Sequence, residues 1–376
     1  MLSTDKSILD PKSEAALRMA RYGSVVDELC IIVYAPPSLP SSAQLAGNVH
    51  AYSTNTARRW RYFFDAYRIA KSLNQVPFSL VTSQDPFETG LLGWFLKKKW
   101  GVPLQVQIHT DIFNSYFIKE SLKNRLRSLC ASWLLPEADG IRAVSERIKD
   151  SLRRRYRNFS ALKNEPAILP VWVDVKKIQR NKGDASLRSA YSGYEHILLM
   201  ASRLTWEKNI GLAIESLPFV LEKLPRTLLL VVGDGPELAS LKEKAKPVSG
   251  NVVFEPWSDN LAAYYKMADA YLLTSNYEGY GRTVIEAMAA GIPVVMTDVG
   301  LAGELLVGDF DGKVVPAGDA RACADAIMEV LSNPELKEEF VKNASKVIEE
   351  LPDEKSYLEA YRHSFEAALK KLPTGI

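Results

Sequence analysis

The sequence predicts an α/β protein of two Rossmann-like domains, each a parallel sheet covered by helices. Three observations predict it. Short β-branched runs alternate with helix-length segments along the chain, the pattern that gives buried parallel strands joined by crossover helices. The rhythm lapses at residues 167–174 (AILPVWVD) and then restarts. The 376 residues are enough for two domains with separate cores.

In the first half, residues 29–34 (LCIIVY), 78–82 (FSLVT), 104–109 (LQVQIH) and 140–144 (GIRAV) read as buried strands. Helix-length segments at 58–73 and 88–100 separate them. Residues 1–11 (MLSTDKSILDP) leave little room for an opening strand, and no glycine precedes Gly23. Residues 5–21 read instead as a polar loop entering a helix that carries Arg18 and Arg21.

In the second half, residues 196–202, 227–232, 251–254, 270–274, 293–297 and 313–315 read as strands. The intervening helices are expected to begin near Asn209, Pro236, Leu261, Gly281 and Gly300. The expected division is a first domain over 1–175, a second over 176–353, and a last amphipathic helix over 354–371 that follows Pro352. No short repeat or low-complexity tract is visible.

No apolar run approaches the roughly 18 residues that span a bilayer, and the mixed polar start does not read as a signal peptide. Cys30, Cys130 and Cys323 are too few and too far apart for a disulfide framework or a metal cluster. A cytoplasmic protein is expected, peripheral at the inner face of the membrane if its charge is used there. The net charge of +2 hides an asymmetry. Residues 1–170 hold 24 Lys and Arg against 15 Asp and Glu, and residues 119–163 alone hold twelve against five. Such a tract is either a solvated helical face or the footprint of an anionic partner, a membrane surface or a phosphorylated lipid. Nucleic acid is not expected, because no aromatic–basic interleaving or binding motif accompanies this charge.

The segment 275–291 (SNYEGYGRTVIEAMAAG) is the most informative. A strand ends near Thr274, and a loop holding Gly279 and Gly281 enters a helix. Glycines let backbone N–H groups approach a ligand, and a helix N-terminus attracts phosphate. Glu278 in the loop and Glu286 on the helix are poor phosphate ligands but good acceptors from sugar hydroxyls. Alternatively the glycines serve a tight turn and the carboxylates decorate the helix. Residues 201–209 (ASRLTWEKN) add Arg203 just past a strand and Lys208 before the next helix. Open α/β sheets bind ligands at these strand ends, and two cations there would hold a diphosphate as a leaving group. Residues 232–237 (VGDGPE) form a third Gly-containing turn on the same edge, which is also what a generic β-to-α turn looks like.

With these residues placed, the chain resembles the family 4 glycosyltransferases. Matches run in order from about Ile168 to Asp319: Val173-Asp174, Arg203 and Lys208, Gly233-Asp234-Gly235-Pro236, Tyr265 with Ala268-Asp269, Glu278-x7-Glu286, Gly291-x-Pro293-Val294-Val295, Gly300 with Glu304, and Gly318-Asp319. The resemblance implies the GT-B fold: two Rossmann-like domains whose parallel sheets face each other across a cleft, acceptor in the first and donor in the second. The final helix is then expected to pack back on the first domain.

The resemblance implies retaining transfer of a hexosyl unit from a UDP- or GDP-sugar to a glycan or lipid-linked hydroxyl, with no metal or other cofactor. Arg203 and Lys208 are then expected to bind the donor pyrophosphate, Glu278 the transferred sugar and Glu286 the nucleotide ribose. Gly233, Gly279, Tyr280, Gly281, Arg282 and Thr283 would line the sugar and phosphates, and Trp257 would border the base. His109, in residues 107–111 (QIHTD), would contact the donor sugar near the reacting centre, with Asp111 as a candidate to orient it. His109, Arg203, Lys208 and Glu278 make up the expected catalytic set.

Other motifs carry less. Asp309-Phe310-Asp311 has the spacing of a metal-binding D-x-D but sits in a turn-rich connection. A GxGxxG after the first strand, a P-loop and a His-Glu-x-x-His are absent. Three rival functions are a nucleotide-sugar epimerase on the same fold, a non-catalytic nucleotide-sugar-binding protein, and a membrane-surface scaffold.

Overall fold

The computed structural model describes residues 1–74 and 77–370. The chain divides into two compact units, Met1–Pro170 joined by the segment from Pro352 onward, and Val171–Leu351. The division thus falls five residues before the break expected after Val175. Among the described residues no helix is long and apolar enough to cross a membrane.

The first unit is built on β1 (Leu2–Ser3), β2 (Leu29–Val33), β3 (Ser42–Ala46), β4 (Val49–Ser53), β5 (Val81–Ser83), β6 (Leu104–Ile108), β7 (Gly140–Ala143) and β8 (Ala167–Ile168). Their order in the sheet is β3-β4-β2-β1-β5-β6-β7-β8, parallel except for the β3–β4 hairpin at the edge. Residues 1–11 do hold an opening strand, contrary to expectation. It is only two residues long, yet it sits at the sheet's centre, with Leu2 opposite both Ile32 and Ser83. Both flanking strands supply its hydrogen bonds, so it needs no length. A glycine-free 3₁₀ turn, Lys6–Leu9, follows it, capped by Asp5.

β3 and β4 were not expected either. Their short, half-exposed sequence SAQLA–VHAYS lacks the buried β-branched signature. The helix Glu354–Leu369 belongs to this unit: Gln105 Nε2 donates to the Ser364 carbonyl at 2.7 Å. Lys371, the expected end of that helix, lies outside the described residues.

The second unit carries β9 (His196–Ala201), β10 (Thr227–Val232), β11 (Val252–Glu255), β12 (Ala270–Leu273), β13 (Val294–Thr297) and β14 (Lys313–Val315). All pair in parallel, in the order β11-β10-β9-β12-β13-β14. β9 and β10 are apolar on both faces because helices cover both, and Leu198, Leu229 and Val231 join Ile214, Leu217 and Phe340 in the core. Each such side chain contributes about 1.5–3 kcal/mol when fully buried.

The helix expected near Gly300 does not form. Gly300 and Gly303 both adopt positive φ, 56° and 76°, outside the right-handed helical region. The Leu301 N–H donates to the Tyr280 carbonyl at 2.8 Å, so the segment folds as turns against the Tyr280 loop. Asp309-Phe310-Asp311 is also a turn: Asp311 Oδ1 accepts from the Val307 N–H at 2.7 Å, and Asp309 pairs with Lys313.

Candidate functional site

In the second sheet the strand order reverses between β9 and β12, a switch point at whose C-terminal strand ends open α/β sheets bind their ligands. The loops leaving these two strands are stitched together. The Asn276 N–H donates to the Glu207 carbonyl at 2.8 Å, Asn276 Nδ2 to the Trp206 carbonyl at 2.9 Å, and Thr274 Oγ1 to the Asn209 carbonyl at 2.9 Å. Asn209 itself is left-handed (φ 44°) and starts the helix Ile210–Leu221. Short polar side chains that bond nearby backbone are the residues that tolerate such turns.

This stitching gathers the charges. Lys208 Nζ lies 2.6 Å from Glu278 Oε1 and 3.0 Å from Glu207 Oε1. Ser275 Oγ donates to the same Glu278 oxygen at 2.9 Å. Arg203 approaches Glu207 Oε2 at 3.5 Å. The two cations differ in setting: the Arg203 side chain is 73% exposed and that of Lys208 only 15%. Burial pulls the Lys208 ammonium down, but Glu278 and Glu207 outweigh it and hold the group above the ordinary lysine value. Lys208 is therefore a fixed charge in the physiological range, and Arg203 is the solvent-exposed one.

Gly281 starts the helix Arg282–Ala290 with φ 102°, a conformation open to glycine. Glu286, on the second turn, is buried. Its Oε1 accepts from Arg282 Nε at 2.7 Å and its Oε2 from the Tyr265 hydroxyl at 3.0 Å. Gly279 and Tyr280 are buried in the loop, and Thr283 is half-buried on the first turn. Gly233 follows β10 with φ 155°; a Cβ there would sit 1.9 Å from the Ser202 carbonyl oxygen, so no other residue fits without moving the β9 exit. Trp257 is 52% exposed, just past β11, two strands from β9.

The second unit thus brings Arg203, Lys208 and Glu278 together, with Gly279 to Arg282 on the adjoining loop and helix start. His109 belongs to the first unit, at the end of β6. Its Nε2 faces Gln107 Oε1 at 3.2 Å. That oxygen also accepts from Arg142 at 2.9 Å, while Gln107 Nε2 donates to Thr82 and Tyr361. A guanidinium can only donate, so Arg142 fixes which way the Gln107 amide points. The proton of His109 is then on Nε2, and Nδ1 is left as an acceptor. Burial and the nearby positive charge of Arg142 and Arg18 lower the His109 pKa to about 3, so the ring stays neutral.

Asp111 does not orient His109. Its carboxylate accepts instead from Ser151 Oγ at 2.7 Å and the Phe113 N–H at 3.3 Å, because the chain turns after β6 and carries Asp111 toward the helix Glu146–Arg155. Glu207, Ser275, Gln107 and Arg142 were not singled out from the sequence. Glu207, next to Lys208, and Ser275, three residues before Glu278, carried a proximity signal. Arg142 carried another, being a charge inside a strand pattern.

Fold and site define a two-unit, doubly wound α/β protein with cations and a helix start at the switch point of its second sheet. Residues 188–347 match the family described as Glycosyl transferases group 1, and residues 14–163 match the Glycosyl transferase 4-like domain. The chain belongs to glycosyltransferase family 4. It is similar to an alpha-monoglucosyldiacylglycerol synthase of Streptococcus pneumoniae, 29% identical over 63% of this chain and 56% of that protein. A glycogen synthase of Mycobacterium tuberculosis is 27% identical over 64% of this chain and 57% of its own length. A phosphatidyl-myo-inositol mannosyltransferase of Mycobacterium leprae is 27% identical over 75% and 71%. The match thus spans little more than half the length of the first two relatives. The fold is GT-B: HepE of Anabaena, solved with UDP and glucose, superposes over 97% of this chain and 98% of its own with TM-score 0.76 at 17% identity. A sucrose-phosphate synthase from Thermosynechococcus elongatus does so over the same shares with TM-score 0.78 at 20%.

Proposed function

We propose that this chain is a retaining glycosyltransferase that moves a hexosyl unit from a UDP- or GDP-sugar to a hydroxyl of a glycan or lipid-linked acceptor. One observation carries the reading: Arg203 and Lys208 share Glu207, and Lys208 reaches Glu278, three residues before Gly281, where the helix Arg282–Ala290 starts. Two cations and the backbone N–H groups of a helix start are the groups that suit a diphosphate.

Family membership supports the class, and the lipid glycosyltransferases among the relatives support the kind of acceptor. HepE crystallised with UDP-glucose supports the donor type. In the proposed reaction the bond between the anomeric carbon and the β-phosphate oxygen breaks. The acceptor oxygen forms the new bond on the same face, and its proton passes to the departing phosphate. Arg203 and Lys208 would stabilise the charge that appears there. Glu278, held rigid by Lys208 and Ser275, would accept from sugar hydroxyls, and Glu286 from the ribose diol. Nδ1 of His109 would accept a hydrogen bond from the sugar. These cations and the helix start supply the charge without a metal ion, so activity should persist in EDTA.

The test is a panel of UDP-, GDP- and ADP-sugars screened by thermal shift, then assayed for transfer with a labelled donor. An α-linked product from an α-configured donor supports retention, and a β-linked product overturns it. Binding without cleavage of any donor overturns the enzyme reading, and loss of turnover in EDTA overturns metal independence.

A further inference from the structure

The helix Leu122–Leu134 connects β6 to β7. Four of its five large apolar side chains face the wrong way for a core. Leu122, Leu126, Leu129 and Trp133 are 71%, 60%, 64% and 50% exposed. Their spacing of four, three and four residues sets them in one stripe. The buried side of the same helix is instead Asn124, Ser128, Ala131 and Leu134. A single exposed leucine is ordinary, whereas a contiguous stripe of large apolar groups marks an interaction surface.

The neighbouring helices extend it. The helices Tyr62–Leu73, Glu88–Trp100 and Leu122–Leu134 pack side by side, on one face of the first sheet, as right-handed crossovers require. Phe64 (58%) and Leu91 (37%) are exposed on the first two, and the Trp94 ring meets Trp133 edge-on at 4.9 Å.

Positive charge rims the stripe. Lys123 and Arg125 are exposed on its two flanks. Arg155 reaches Ser132 Oγ at 2.9 Å, and Lys98 lies 6.0 Å above the Trp94 ring. Glu88 and Glu137 neutralise part of this charge, but residues 119–163 keep twelve basic residues against five acidic ones. A second copy of the chain would bring like charge against like. An anionic bilayer meets both features: its phosphates take the rim, and the stripe enters the boundary between headgroups and acyl chains.

We infer that the helix Leu122–Leu134, with the helical layer beside it, docks this chain on an anionic lipid bilayer. The helix follows β6 in the chain after the short helix Ser115–Glu120, and β6 ends at the edge of the first sheet that carries His109. Docking would therefore hold that edge near a lipid-linked acceptor, a consequence that rests on the proposed transferase reading. The docking itself does not, since it needs no sugar nucleotide.

Vesicle flotation tests it with the full chain and no donor, using phosphatidylcholine vesicles with and without phosphatidylglycerol. The wild type should float with the anionic vesicles at low salt, and tryptophan fluorescence should shift to the blue on binding. The triple variant L122Q/L126Q/L129Q should keep its melting temperature and lose partitioning by at least ~10-fold. Arg125→Ser should cost about 5-fold. Failure of the wild type to float overturns the inference. So does a triple variant that floats as well as the wild type, or one that converts a stable dimer to monomer, which would make the stripe a contact between copies.

Discussion

Replacing Lys208 with Met separates the two roles its position implies. The ammonium lies 2.6 Å from Glu278 and 3.0 Å from Glu207, with 15% of the side chain exposed and only 10% of Glu278. At 2.6 Å the attraction is about 6 kcal/mol for an effective dielectric of ~20, and the desolvation of both ions offsets part of it. Removing one partner leaves the other charge buried beside the Ser275 hydroxyl. Breaking such a buried pair costs about 3–5 kcal/mol. For a unit of this size, 3 kcal/mol lowers the melting temperature by ~6–12 °C.

The double variant K208M/E278Q removes the stranded charge and should recover most of that loss. It should not recover transfer, because the cation that stabilises the leaving diphosphate is still missing, a defect of ~100-fold. Calorimetry and a labelled-donor assay on the two variants and the wild type are sufficient. An unchanged melting temperature in Lys208→Met would show a solvated pair. Activity above a tenth of wild type in the double variant would reduce Lys208 to a structural role.

Arg203, with an exposed side chain, should behave in the opposite way: Arg203→Ala loses ~100-fold in turnover with almost no change in melting temperature. A drop of several degrees would refute that division of labour. Acid stability should report His109. Its folded pKa of about 3 lies below the ordinary value of 6.5, so below pH 6.5 the unfolded chain binds a proton that the folded chain refuses. Stability from this group falls as the pH drops from 6.5 toward 3. The raised carboxyls of Asp85 and Asp111 act with the opposite sign at acid pH, so the informative quantity is the difference from His109→Gln, and its absence refutes a neutral ring. Gln107→Glu places a carboxylate at the Nε2 proton and should raise the His109 pKa by at least ~1 unit in an NMR titration. No movement would refute the Gln107–His109 contact.

Most of both sheets was legible because parallel strands buried on two faces announce themselves as short apolar runs; β10 and β14 have the bounds read from sequence. β1 was not legible, since two residues at a sheet's centre draw their stability from neighbours 30 and 81 positions away. The turn after Gly300 was misread as a helix for a related reason: the bond from Leu301 to Tyr280 competes with helical bonding and has no local signature. Within the candidate site, Arg203, Lys208, Glu278 and Glu286 were singled out because each stands near a strand end or a helix start. The bracing residues Glu207 and Ser275 were not, because their value lies in what they touch.

The sequence by itself determined the α/β class, the two-part organisation and the crevice loops of the second unit, since periodicity and turn residues act over a few positions. Only the tertiary structure decided that Lys208 is locked between two carboxylates, that Arg142 sets the tautomer of His109, and that Leu122, Leu126 and Leu129 face outward. A stripe at helical spacing is the same string whether it meets a core or a membrane. Which one it meets depends on the small residues, Asn124, Ser128 and Ala131, that pack inward on the opposite side of the helix.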